Sequence, residues 1–177
     1  MKGTKSASRY AKALLELAIE QNKLDRITED MAYVAKVNEE EKDFAVLLSS
    51  PVVKADKKIT IFNEVFVGFD PLTEQFIDLI TRNRRENLLA EIAHSFESQV
   101  KQYKGIVPIT LISATPLNDK TKETILSKVK GSVKGELEIK ELIDESLIGG
   151  FIVRMDDKQI DASISRQFNN LKQRLTR

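Results

Sequence analysis

The apolar residues of this chain change their period once, close to Gly105, and that single change limits what the chain can fold into. From Ser6 to about Lys104 they recur every three to four residues, the spacing that puts them on one side of a helix. Beyond Gly105 they gather in short runs rich in Ile, Val and Leu, as strands require. The reading is α+β: a six-helix bundle over 1–105, then a small mixed α/β domain over 106–177 in the order β-α-β-β-β-α. With 177 residues, 41% of them hydrophobic, the chain is large enough to bury a core in each part.

Within the first half, Ala7, Tyr10, Ala11, Leu14, Leu15, Ala18 and Ile19 mark a first helix ending near Asn22. Ile27, Met31 and Val34 mark a second, with Asp25 as its expected cap. A short third is expected over Glu39–Leu48. A fourth runs from Lys54 to Phe66 with Ile59, Phe62 and Phe66 in line, and Gly68 closes it. Asp70-Pro71 supplies a capping carboxylate and a proline at the first helical position, opening a fifth helix through Phe76, Ile77 and Ile80. Leu88, Leu89, Ile92, Phe96 and Tyr103 define the sixth, which stops at Gly105. Short connections between so many helices imply an antiparallel bundle.

In the second half, Ile106–Ile112 is a strand whose Pro108 argues for the sheet's edge or the strand's start. A helix capped by Asn118 runs through Ile125 and Val129, with Gly131 and Gly135 around its end. Leu137 and Ile139 alternate with charges in a half-exposed strand. Ile148–Met155 is read as the next strand, Asp156-Asp157 as a turn, and Lys158–Ile160 as the returning strand. A last helix puts Ile164, Phe168, Leu171 and Leu175 on one side, so the sheet is expected to be covered by two helices.

Composition removes several classes of function. Lys and Arg number 28 against 27 Asp and Glu, so no global field draws the chain to nucleic acid or anionic lipid. The absence of Cys excludes disulfides and thiolate catalysis. No apolar run approaches the roughly 18 residues of a membrane span, and Met1–Arg9 lacks the apolar core of a signal peptide, so a soluble cytoplasmic protein is expected.

Most single features have structural explanations. Arg82-Asn83-Arg84-Arg85 lacks the interleaved aromatics of a nucleic-acid surface and suits a solvated helix end, where cations meet the C-terminal dipole. His94 has no second ligand at metal-binding spacing, and no metal or cofactor is expected. Gly149-Gly150 is followed by a strand, whereas a phosphate loop leads into a helix; a side chain there would meet backbone or distort the corner. Adjacent Asp156 and Asp157 would point to opposite faces of a strand and cannot act as an acid/base pair. Asp161, before Ala162 and Ser163, reads as the cap of the last helix. No candidate catalytic residue remains.

The first helix stands apart. Its apolar residues, Ala13 and Leu17 included, sweep an arc of about 240°, against the roughly 100° that a surface helix needs. Either its own bundle surrounds it, or a partner covers part of it. Alanines at positions 11, 13 and 18 would let another helix lie close in a groove.

Three segments resemble one family. Arg9-Tyr10-Ala11-Lys12-Ala13-Leu14 is similar to the opening helix of the δ subunit of F-type ATP synthases, whose mitochondrial counterpart is the oligomycin-sensitivity-conferring protein. Leu79-Ile80 with Asn83, Arg85, Leu88, Leu89, Ile92 and Phe96 resembles its fifth-to-sixth helix junction. The most specific match is Leu147-Ile148-Gly149-Gly150-Phe151-Ile152-Val153-Arg154, followed by Ile160-Asp161-x-Ser163. Where the family usually has a small residue in the following turn and glycine between Asp and Ser, this chain has Asp156 and Ala162.

The resemblance implies a non-catalytic stator subunit on the cytoplasmic side of a bacterial membrane, reaching the membrane only through its complex and present without homo-oligomers. It implies a helical domain that grips the N-terminal helices of α subunits in the catalytic head, and a C-terminal domain that holds the b-subunit stalk. Carried over by position, Tyr10, Ala13, Leu14 and Leu17 would meet Phe76, Leu79, Ile80 and Asn83 around an α-subunit helix. Arg85, Gly149, Gly150, Asp161 and Ser163 would be structural signature residues. Two other classes stay open: a helical adaptor unrelated to ATP synthase, and a small-molecule enzyme, which would need a pocket of convergent polar groups.

Overall fold

A computed structural model describes residues 4–116, 118, 121, 122, 124, 125, 135–155, 158–166, 168 and 173. The chain forms two compact units, Met1–Val100 and Lys101–Arg177. The fold is α+β, with helices first and a four-stranded mixed sheet after them.

The helices are α1 (Lys5–Glu20), α2 (Leu24–Glu40), α3 (Lys42–Ser49), α4 (Ala55–Val65), α5 (Pro71–Arg82) and α6 (Leu89–Tyr103), with a 3-10 turn at Glu86–Leu88. Their ends follow local chemistry. The Thr4 hydroxyl accepts from the Ala7 amide at the start of α1, and Asp70 Oδ1 accepts from Leu72 at 2.9 Å ahead of Pro71. Helices α1 and α5 both end on a left-handed residue, Asn22 at φ 56° and Arg84 at φ 55°. After each, paired amides reach back to carbonyls of the last turn: Asn22 to Ile19 and Lys23 to Ala18, Arg84 to Thr81 and Arg85 to Ile80.

Three expectations for this half change. Asp25 lies in the first turn of α2 and the N-cap position is Lys23, because the left-handed close of α1 leads directly into the next helix. Glu39 and Glu40 extend α2, so α3 begins at Lys42. On α4 the fully buried neighbour of Phe62 is Lys58, one turn earlier, while Ile59 is only partly covered.

One core joins all six helices of the first unit: Leu14 of α1, Ile27 and Met31 of α2, Phe44 of α3, Phe62 of α4, Ile80 of α5 and Phe96 of α6 belong to it. Two buried charges are built into it. Asp30 Oδ2 accepts from the Asp70 amide and the Thr73 hydroxyl, each at 2.9 Å, tying α2 to the start of α5. Lys58 Nζ donates to the carbonyls of Leu48 (3.3 Å) and Ser50 (2.7 Å) and to Glu86 Oε1 (2.6 Å). Those three acceptors match the three protons of its ammonium.

In the second unit the strands are β1 (Ile106–Ser113), β2 (Glu136–Ile143), β3 (Phe151–Met155) and β4 (Lys158–Asp161), in the spatial order β2-β1-β3-β4. β1 pairs parallel with β2 and antiparallel with β3. Pro108 therefore lies near the start of a strand, as expected, but not at the sheet's edge. The pairing with β3 begins one residue later, at Ile109. Ile109, Leu111, Val153 and Met155 fill one face, and Ile125 packs on them. Asn118 Oδ1 accepts from the Thr121 amide at 2.8 Å, the contact expected of a cap. The expected roles of Val129, Gly131, Asp156, Asp157, Leu171 and Leu175 lie outside the described residues.

Candidate docking surfaces

Burial divides the eight residues expected around a helical ligand. Leu14 and Ile80 are fully buried and Phe76 nearly so, which places them in the core of the helical unit. Tyr10 is half-buried against that core, while Ala13, Leu17, Leu79 and Asn83 are exposed. Leu17 keeps 40% of its surface and Leu79 keeps 52%. Half-buried Tyr10 and exposed Ala13 and Leu17 fall in one continuous stripe along α1. The bundle thus does not surround α1: Ala7, Ala11, Leu14, Leu15 and Ala18 turn inward, and an apolar strip is left outside.

The basic run at the end of α5 is exposed throughout, with Arg82 in the last helical turn and Asn83 as C-cap. Arg85 serves the backbone: its amide closes α5 on Ile80 and its carbonyl accepts from Leu88 as the 3-10 turn begins. His94 is exposed on α6, with Nε2 3.6 Å from Glu39 Oε1.

At the glycine corner the strand β3 starts at Phe151, later than expected, because Gly149 and Gly150 take backbone conformations (φ 156° and 81°) that a strand residue with a side chain does not. A Cβ on Gly150 would stand 2.5 Å from the Ala162 carbonyl oxygen and 2.9 Å from Ser163 Cα. One on Gly149 would meet the tip of the Ile164 side chain at 2.7 Å, a softer obstacle. The Ile164 amide donates to the Gly149 carbonyl at 3.0 Å, so the corner is locked against the start of the last helix.

Asp161 and Ser163 share the capping work that the sequence assigned to Asp161 alone. Asp161 Oδ1 accepts from the Ser163 amide at 3.0 Å and holds the turn, while Ser163 Oγ accepts from Arg166 at 3.3 Å and caps the helix. Hydrogen bonds from Ser163, with Arg166 nearby, hold the Asp161 carboxyl below the usual carboxylate range. The helix itself turns out differently from expectation. Ile164 and Phe168, expected to cover the sheet, are 47% and 71% exposed, and Ile148 beside the corner is 78% exposed. Single helices with an apolar stripe look alike in sequence whether the stripe meets the molecule's own sheet or another chain.

Sequence reasoning passed over Asp30 and Lys58. Both carried a signal: Asp30 sits between Ile27, Met31 and Val34 on the buried stripe of α2, and Lys58 lies one turn before Phe62. A charge in such a register needs a partner when the helix packs.

These features define a class before they define a family: a two-part protein whose regular elements carry uncovered apolar side chains, suited to holding other chains. The family model described as "ATP synthase delta (OSCP) subunit" matches residues 7–175. The ATP synthase subunit delta of Christiangramia forsetii is 35% identical over 99% of this chain and 95% of its own length. That of Cytophaga hutchinsonii is 33% identical over 99% and 97%. A chain of the Toxoplasma gondii mitochondrial ATP synthase hexamer shares the fold, with a TM-score of 0.75 at 22% identity over 98% of this chain and 99% of that one.

The chain belongs to the ATP synthase delta (OSCP) subunit family. It is a non-catalytic stator subunit, a peripheral-stalk component of an F-type ATP synthase, and the reading as an unrelated adaptor falls away. No helix among the described residues is long and apolar enough to cross a membrane.

Proposed function

We propose that the helical unit grips the catalytic head by taking an α-subunit N-terminal helix against the outer faces of α1 and α5, and that the α/β unit holds the b-subunit stalk. The supporting observation is the stripe of half-buried Tyr10 and exposed Ala13 and Leu17 on a helix that otherwise anchors the core. Leu79 and Asn83 supply the contribution of α5, and Leu14, Phe76 and Ile80 set the positions of both helices from beneath. The α/β unit offers the stalk the apolar surface of Ile148, Ile164 and Phe168. A single copy then works on the cytoplasmic side of a bacterial cell membrane, attached only through the complex.

In this role the protein is a clamp. Rotor torque would carry the head around unless the head is tied to a fixed stalk, so function depends on slow release at two interfaces. Slow release comes from a few buried apolar anchors more than from total area. Ala13→Asp puts a carboxylate in the proposed contact at an exposed site, so the bundle stays folded while affinity for purified head lacking this subunit falls at least about tenfold. A folded variant that binds the head with unchanged affinity would remove the assignment.

A further inference from the structure

The two ends of the sheet are finished differently. At one end β4 spans only Lys158–Asp161. At the other, β2 runs for 8 residues in unbroken register with β1, from Ile106↔Glu136 to Ser113↔Ile143, with no proline, glycine or bulge. Edge strands are commonly protected by shortness, proline, bulges or charge. Of these devices β2 has only charged side chains, and two of those are already engaged: Glu138 lies 2.7 Å from Lys101, and Glu141 2.7 Å from Lys122.

The backbone of β2 shows which groups are left over. The amides at its two ends both turn toward β1, Glu136 donating to the Gly105 carbonyl at 3.0 Å and Asp144 to that of Ser113 at 2.9 Å. Backbone groups alternate sides along a strand, so Leu137, Ile139, Glu141 and Ile143 turn their N–H and C=O away from β1. Among the described residues no hydrogen bond reaches that side, because β2 is the outer strand. Donors and acceptors recurring every second residue are matched by another extended strand, whereas a helix spends its backbone groups on itself. By register the same four side chains share the sheet face of Ile109 and Leu111, where Ile139 keeps 41% of its surface and Ile143 58%. On the other face Lys140 is exposed and has no ion pair among the described residues.

A second copy of this chain fits the edge poorly. Full antiparallel overlap sets Lys140 against Lys140 and Glu136 against Asp144. A slip of one repeat one way brings Ile139 against Ile139 but sets Leu137 against Glu141 and Ile143 against Gly135; the opposite slip sets Glu141 against Glu141. We propose that the free edge of β2 takes an extended segment of another subunit of the complex as a fifth strand of the sheet. That segment carries apolar residues at alternate positions, beside Ile139 and Ile143, and an acidic residue on its other face beside Lys140. The site does not depend on the assignment of the α1 and α5 faces.

The test is residue-resolved amide hydrogen exchange on the free chain and on purified ATP synthase containing it. In the free chain the amides of Ile139, Glu141 and Ile143 exchange fast while those of Lys140 and Leu142 are protected; in the complex the first three slow by at least about tenfold. Lys140→Glu, at an exposed site, reduces that added protection at least about fivefold. Irradiation of the complex carrying Leu142→p-benzoylphenylalanine links β2 to a segment of the stated pattern. Exchange unchanged between free chain and complex, protection in the free chain that grows with its concentration, protection unmoved by Lys140→Glu, or the lack of a cross-link to such a segment would each overturn the proposal.

Discussion

The two units solve the problem of a small core in different ways. In the helical unit six helices converge on one apolar centre, and the two charges built into it, Asp30 and Lys58, are answered by other groups of the protein. In the α/β unit the described core is small, Ile109, Leu111, Ile125, Val153 and Met155, and order at the corner comes from backbone fit between glycines and the start of the last helix. The first unit should therefore be sensitive to unbalanced charge, and the second to an added Cβ. Each sensitivity can be tested in the full chain by following backbone amide signals of the two units separately during urea denaturation.

The largest effect is expected from Lys58→Ala, which leaves the Glu86 carboxylate without its cation in the interior. Among the described residues its Oε2 has no hydrogen-bond partner. The helical unit should lose about 3–5 kcal/mol, the scale for breaking one side of a buried pair. Signals of the α/β unit should keep their midpoint. Equal loss in both units would break the comparison.

Gly150→Ala should act in the opposite half and by a smaller amount. It combines a left-handed backbone with a Cβ driven onto the Ala162 carbonyl, and strain of this kind costs on the order of 1–3 kcal/mol. Gly149→Ala should cost less, because the Ile164 side chain can move aside. If the two substitutions prove equal, the corner is not held by the backbone contact at Gly150.

Asp70 gives the smallest effect. The Leu72 amide, then Lys23, holds its carboxyl below the ordinary range. A depressed folded pKa means stability that is present above the unfolded value near pH 3.9 and lost as pH falls through the folded value. Asp70→Asn should keep most of the cap while flattening the acid limb for the helical unit, and Asp70→Ala should cost about 1 kcal/mol at neutral pH. An acid limb unchanged in Asp70→Asn would show that other carboxylates carry it.

The cap of α5 was legible in Asp70-Pro71 because capping is local chemistry, complete within three residues. The cap of α2 was not, since Asn22 closes α1 so tightly that Lys23 begins the next helix and Asp25 is already inside it. On the first helix the excess apolar arc was visible in the letters, but which part of it faces outward was not. Leu14 and Leu17 are chemically the same residue three positions apart, one fully buried and the other 40% exposed. The same limit explains Pro108: proline's missing donor marks a weak place in a ladder without saying on which side the neighbours stand.

By itself, then, the sequence determined the helical first half, the sheet-forming second half, the glycine corner and the family resemblance, since period, capping and backbone freedom act over a few residues. The tertiary structure decided the sheet order, the partners of Lys58 and Asp30, and the division of the apolar residues into buried core and exposed surface. Those depend on which distant segments come to lie against each side chain, and one helical face looks the same in sequence whether it meets its own chain or another.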